Sequence, residues 1–130
     1  MNAKIVFVLI VCIFLSSCAP SRRFTGKTGK VSAKSYGTLI GYATYYGPGF
    51  HGNKTASGEV FDMYKMTCAH RTLPFGTILL VTNLSNSKSV QVRVNDRGPF
   101  VKNVIIDLSL GSAKKIDLDG KEMVEVKIMK

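Results

Sequence analysis

Hydrophobic and polar positions alternate with a period of two in several short runs of this chain. The clearest is Val90 to Asn95, where Val90, Val92 and Val94 alternate with Gln91, Arg93 and Asn95. That period predicts a half-buried strand. Asp96, Arg97, Gly98 and Pro99 follow, and a Gly-Pro pair does not continue a central strand. Asp96 is thereby placed at a strand end, a rigid position from which one carboxylate can be aimed into a groove. The competing reading is an Asp that bonds its own turn or pairs with Arg97.

The same pattern organises the rest of the chain. Thr38 to Tyr46, rich in β-branched and aromatic residues, predicts a strand closed by Gly47-Pro48-Gly49. Phe50 to Asp62 is a glycine-punctuated loop, a kind of segment that often carries function. Tyr64 to His70 reads as short and extended, Leu73 to Gly76 as a turn, and Thr77 to Leu84 as a strand. Ser85 to Lys88 is a hairpin-type loop into the Val90 run. Val104 to Leu108 predicts another strand and Ser109 to Ile116 a short helix capped by Ser109. Val124, Val126 and Ile128 alternate in a last strand, Met123 to Met129. About six short strands with one small helix predict a mainly β fold, a closed barrel over residues 38–130. Closure also removes exposed sheet edges.

The first residues belong to a different class. One charge, Lys4, precedes eleven uncharged apolar residues from Ile5 to Leu15, and Leu15-Ser16-Ser17-Cys18 follows. Eleven residues span about 16 Å as a helix, too short for a bilayer core of roughly 30 Å. The segment 1–17 therefore reads as an export signal. The small residues before Cys18 look like a bacterial lipobox, with cleavage before Cys18 and lipidation of its sulfur. The alternative is an ordinary signal peptide with an incidental cysteine. An acylated Cys18 would hold the protein on a membrane, each buried CH₂ contributing about 0.8 kcal/mol. Residues 18–37 read as a flexible tether, rich in Ser, Lys, Thr and Gly.

Cysteine usage agrees with this division. Cys12 leaves with the signal and Cys18 is acylated, so Cys68 has no partner for an intramolecular disulfide. It reads as a small buried hydrophobe. Cys68 and His70 are too sparse a donor set for a metal site, and neither metal nor cofactor is expected. The formal net charge is +10, and +9 once Lys4 is removed. Basic charge favours anionic partners. The basic residues are scattered, with no Arg-rich helix, so nucleic acid is not expected as a partner. Muramic-acid carboxylates or anionic lipids fit better, and solubility alone accounts for much of the charge.

These residues resemble a known family, rare lipoprotein A. The resemblance is carried by Tyr42-Ala43-Thr44-Tyr45-Tyr46-Gly47, by Thr55 to Asp62, by Ala69 to Thr77, and by Val81-Thr82-Asn83-Leu84. Asn95 to Phe100 and Ile106-Asp107-Leu108-Ser109 complete it, over about residues 39 to 129. It implies a six-stranded double-psi β-barrel with one or two short helices, an architecture shared with expansins. It implies a lytic transglycosylase acting on peptidoglycan glycan strands stripped of stem peptides. The expected location is the bacterial cell envelope, as a lipoprotein facing the periplasm, on the outer membrane in a Gram-negative cell. Two departures stand out. The chain ends at Lys130, so the C-terminal sporulation-related repeat of many members is expected to be absent. Asn103-Val104 also stands where the family often has Gly-Arg.

Glycosidic cleavage needs a general acid at the leaving oxygen and stabilisation of an oxocarbenium-like centre. In a lytic transglycosylase the sugar's own 6-hydroxyl attacks C1, so one carboxyl group can serve first as acid and then as base. The resemblance puts Asp96 in that role, with Glu59, Asp62 and His70 as residues important for activity. Asp96 would then need burial or a like-charged neighbour to hold a proton, and Glu59 and Asp62 are the candidates. Arg97 is expected to point outward or at substrate. For Glu59 and Asp62 the alternative is a solvated loop, and for His70 an imidazole that satisfies loop backbone. Tyr45, Tyr46, Asn95, Arg97 and Phe100 are expected to contact the glycan. Strand alternation turns one of the two tyrosines to the core. Asp107 reads as structural, bonding backbone at a strand-helix junction. The alternative function is a non-catalytic, expansin-like peptidoglycan-binding module.

Overall fold

The computed structural model describes residues 37–129. The leader, Cys18 and the tether as far as residue 36 lie outside the described residues. Six strands are present: β1 (Thr38–Tyr46), β2 (Thr67–Ala69), β3 (Ile78–Asn83), β4 (Ser89–Asp96), β5 (Val104–Ser109) and β6 (Glu122–Ile128). One helix, α1 (Leu110–Lys115), and a 3₁₀ turn at Pro48–Phe50 complete the fold. The strands close into a barrel in the order β1-β5-β2-β4-β3-β6. β1 and β5 are parallel, as are β2 and β4. The other contacts are antiparallel, and β1 begins beside the end of β6, where Gly37 O accepts from Ile128 N at 3.0 Å.

The alternation seen in the sequence is the alternation of the barrel wall. Ala43, Cys68, Leu79, Val81, Val90, Val92, Val94, Ile106, Leu108, Val124 and Val126 point inward, and Ala113, Ile116 and Leu118 pack onto them. Full burial of such a side chain stabilises by about 1.5–3 kcal/mol. Cys68 is unpaired and fully buried, and burial pushes its thiol up. Ser109 caps α1 as expected, its Oγ accepting from Ser112 N. Val104, the departure from the family pattern, is buried in the wall.

Both parallel pairs contain one extra residue. Cys68 faces Val94 but Ala69 faces Asp96, so Asn95 is left over. Tyr42 faces Val104 but Ala43 faces Ile106, so Ile105 is left over. A bulge of this kind shifts the side chains beyond it to the opposite face. By parity Asp96 belongs with Val90, Val92 and Val94 in the core. The bulge at Asn95 turns it out, onto the face that Ala69 occupies.

Candidate functional site

The outer face of the wall carries four residues in register. Thr44 on β1 faces Asp107 on β5, Asp107 faces Ala69 on β2, and Ala69 faces Asp96 on β4. Adjacent strands lie about 4.8 Å apart, so the two Asp Cα atoms are separated by about 10 Å with only a methyl group between them. A cleft of about 180 Å³ opens over this row. Tyr46, Lys54, Phe61, Ala69, Asp96, Arg97 and Asp107 help to line it.

Asp96 is held by backbone. Its Oδ1 accepts from Ala56 N at 2.9 Å and from Arg97 N at 2.8 Å. The first bond ties the glycine-punctuated loop to the end of β4. The second is the turn-type bond of the competing sequence reading, and it coexists with a place in the cleft. Asp107 makes no junction bond to backbone of the kind expected from sequence. Its Oδ1 accepts from Thr44 Oγ1 across the β1–β5 pair. Burial pushes the Asp107 carboxyl above the ordinary carboxylate range; the Thr44 bond works against this and the nearby Asp96 charge adds to it. The like-charged neighbour expected for Asp96 is thus Asp107, and the expectation that Glu59 and Asp62 fill that place is corrected.

Glu59 and Asp62 do not line the cleft. The Glu59 carboxylate accepts from Arg93 Nη1 at 2.6 Å, Arg93 Nη2 at 2.9 Å and Asn95 Nδ2 at 3.2 Å. The Arg93 bonds first, then the Asn95 bond, hold its carboxyl below the usual range. Asp62 Oδ1 accepts from Tyr64 N at 2.9 Å and stabilises its own turn. His70 also has a scaffold geometry. Its Nδ1 accepts from Thr72 N at 3.2 Å and Leu73 N at 3.1 Å, and burial, with the charges of Arg97 and Arg71, lowers its proton affinity.

The expected glycan contacts divide in the same way. Tyr46 is in the cleft, but its ring is stacked on Phe61 at 4.4 Å between centroids and meets Phe50 edge-on at 5.8 Å. It offers its hydroxyl rather than a ring face. That hydroxyl is buried and has no hydrogen-bond partner among the described residues. Burial first, and the Asp96 charge next, push its phenol up. Tyr45, one residue earlier, is exposed, as alternation requires. Arg97 donates to His70 O at 3.1 Å and Leu73 O at 2.8 Å, with its guanidinium 3.9 Å above the Phe75 ring. Asn95 is corrected from glycan contact to loop support: it is 2% exposed and bonded to Glu59. Phe100 is 84% exposed on a loop that Arg71 fastens through Pro99 O and Val101 O.

Sequence reasoning passed over Thr44, Lys54 and Ala69 and misread Asp107. The available signal was a lone acid among the aliphatics of the Val104 to Leu108 strand.

A family profile described as "Lytic transglycolase" matches residues 38–128. A Campylobacter jejuni protein named "Endolytic peptidoglycan transglycosylase RlpA" is 52% identical over 104 residues, covering 79% of this chain and 38% of that protein. The chain thus spans about two fifths of the length of that relative. Among solved structures, the Streptomyces papain inhibitor aligns with a TM-score of 0.58 and 25% identity over 75% of this chain and 98% of its own. An expansin of Clavibacter michiganensis aligns with a TM-score of 0.58 and 24% identity, over 72% of this chain and 51% of its own. The shared fold is the six-stranded double-psi β-barrel expected from sequence.

Proposed function

The chain belongs to the lytic transglycolase family of double-psi β-barrels, and from that premise we propose that it is a peptidoglycan lytic transglycosylase. Its substrate would be glycan strands, preferably those stripped of stem peptides, and the endolytic cut named for its Campylobacter relative is the expected mode. The observation that carries this reading is the placement of Asp96. A bulge turns its carboxyl out of the core and into a cleft. Binding alone does not require a carboxyl group there, whereas moving a proton does.

Cleavage breaks the bond between C1 of one sugar and the bridging oxygen of the next. The leaving oxygen takes up a proton, and the 6-hydroxyl closes on C1 and gives up a proton. Asp96 is the group that handles this traffic. Glu59 fastens the loop whose Ala56 N–H holds Asp96, and Asp62 stabilises the turn that follows. His70 supports the 70–73 segment on which Arg97 rests. Tyr45 and Phe100 offer exposed rings for sugar faces, and Tyr46 offers a hydroxyl.

The deciding experiment is mass spectrometry of stripped glycan strands after incubation with the purified protein. The expected products are 1,6-anhydro-ended and lighter by one water than hydrolysis products. Asp96→Asn should lose about 100-fold or more in rate while still binding glycan. Reducing-end products would mean a hydrolase. No products, with binding equal in the wild type and Asp96→Asn, would favour the expansin-like binding module.

For placement, the reading is a lipoprotein of the bacterial envelope held by acylated Cys18 and facing the periplasm. Its support is the apolar Ile5 to Leu15 run that ends at Ser16-Ser17-Cys18. Cys18→Ser should move the protein from the membrane to the soluble fraction, and retention on membranes would count against the anchor.

A further inference from the structure

The two carboxyl groups of the cleft differ in their surroundings. Asp96 accepts two backbone N–H groups on Oδ1, which favours its charged form. Asp107 accepts one hydroxyl from Thr44 and no backbone N–H, and burial together with the Asp96 charge favours its neutral form. The pair flanks Ala69 from opposite sides, so a sugar oxygen seated over that methyl group is within reach of both. Two acids held in different protonation states are a means of dividing acid and base work.

We infer that Asp107 is the catalytic acid of this site, and that Asp96 is its base. The inference rests on the transglycosylase reading. In the reaction the Asp107 carboxyl proton passes to the bridging oxygen as the C1–O bond breaks. The 6-hydroxyl oxygen bonds to C1, and its proton passes to the Asp96 carboxylate. The sugar product loses no atoms and gains none. Return of that proton from Asp96 to Asp107 restores the starting state, so neither water nor a co-reactant is consumed. The other titratable or charged groups in the cleft are Tyr46, Lys54 and Arg97. On α1, which packs beside β5, the charged residues are Lys114 and Lys115, both exposed. Asp96 is therefore the one other acid lining the cleft.

The test is the pH profile of cleavage by the wild type, Asp96→Asn and Asp107→Asn on the same stripped glycan, with thermal unfolding and glycan binding measured beside it. The wild type should give a bell, falling at low pH as Asp96 gains a proton and at high pH as Asp107 loses one. Asp107→Asn should lose about 100-fold or more and also lose the high-pH fall, while still binding glycan. Asp107→Asn activity within severalfold of wild type, with the high-pH fall intact, would overturn the inference. If Asp107→Asn does not fold, Thr44→Val decides. It removes the hydroxyl that stabilises the Asp107 carboxylate, so the high-pH limb should move upward; a limb that stays in place overturns the assignment. A wild type that yields no 1,6-anhydro products defeats the transglycosylase reading itself, an outcome distinct from either of these.

Discussion

Glu59 and Arg93 form a two-point ion pair across 34 positions of sequence, with Nη1–Oε1 at 2.6 Å and Nη2–Oε2 at 2.9 Å. The pair is partly exposed, 38% for Arg93 and 44% for Glu59, so it contributes at most about 1 kcal/mol to global stability. Its larger effect is local. With Asn95 Nδ2 and the Ser57 N to Asn95 O bond at 3.3 Å, it pins the 53–61 loop to β4.

Glu59→Gln should therefore change activity more than stability. The loop would loosen, Ala56 N would leave Asp96, and cleavage should fall about tenfold, a smaller loss than that expected for Asp96→Asn. The melting temperature should move little. The loss should also be absent from a variant that restores the clamp by another pair. The Glu59 carboxyl has a folded-state proton affinity below its ordinary value of 4.5. Its contribution is then complete above that value and is lost as pH falls below it. Proteolysis of the loop as a function of pH reads this directly; a cutting rate equal in Glu59→Gln and wild type would remove the clamp from the account.

His70 carries the second prediction. Its Nδ1 is an acceptor for two backbone N–H groups, so a proton there meets two donors. The folded-state proton affinity is below the ordinary value of 6.5. An unfolded chain thus binds a proton that the folded one resists, and stability declines as pH falls from about 6.5. Thermal unfolding should show that decline in wild type and a flatter response in His70→Asn. A decline of equal slope in both would place the proton elsewhere.

The strands were legible because each shows a two-residue period. Val90-Val92-Val94 and Val124-Val126-Ile128 fall in the core or on its edge as that period requires. The Ser109 cap was legible because its bond is local. The position of Asp96 at a strand end was legible from Gly98-Pro99. Its direction was not, because the bulge at Asn95 arises from the β2–β4 pairing and leaves no mark on the alternation. The Asp107–Ala69–Asp96 row depends on three strands that are not consecutive in the chain. The same holds for Glu59: two acids three apart in a loop say nothing of an arginine on a distant strand. The odd-numbered cleft residue Ala69 was passed over because its importance lies in being small.

Tyr46→Phe supplies the third prediction. A buried hydroxyl without a partner costs about 1–3 kcal/mol, so its removal should leave stability unchanged or raised. If that hydroxyl meets the sugar, cleavage should fall about tenfold while the fold tightens. Melting temperature and cleavage rate moving in opposite directions is the expected signature. A loss of both would show that the hydroxyl already has a structural partner.

The pairing of Gly37 with Ile128 has an architectural consequence. The polypeptide enters and leaves the barrel as neighbours, at one corner. Tyr46 lies eight residues further along β1 than Thr38, about 26 Å away. The cleft therefore sits at the far end of the strand from the point of attachment. A lipid, a spacer or a further domain joined to either end would load the same corner, as a hinge pin loads one edge of a door. The working opening is left clear of whatever the barrel is hung from.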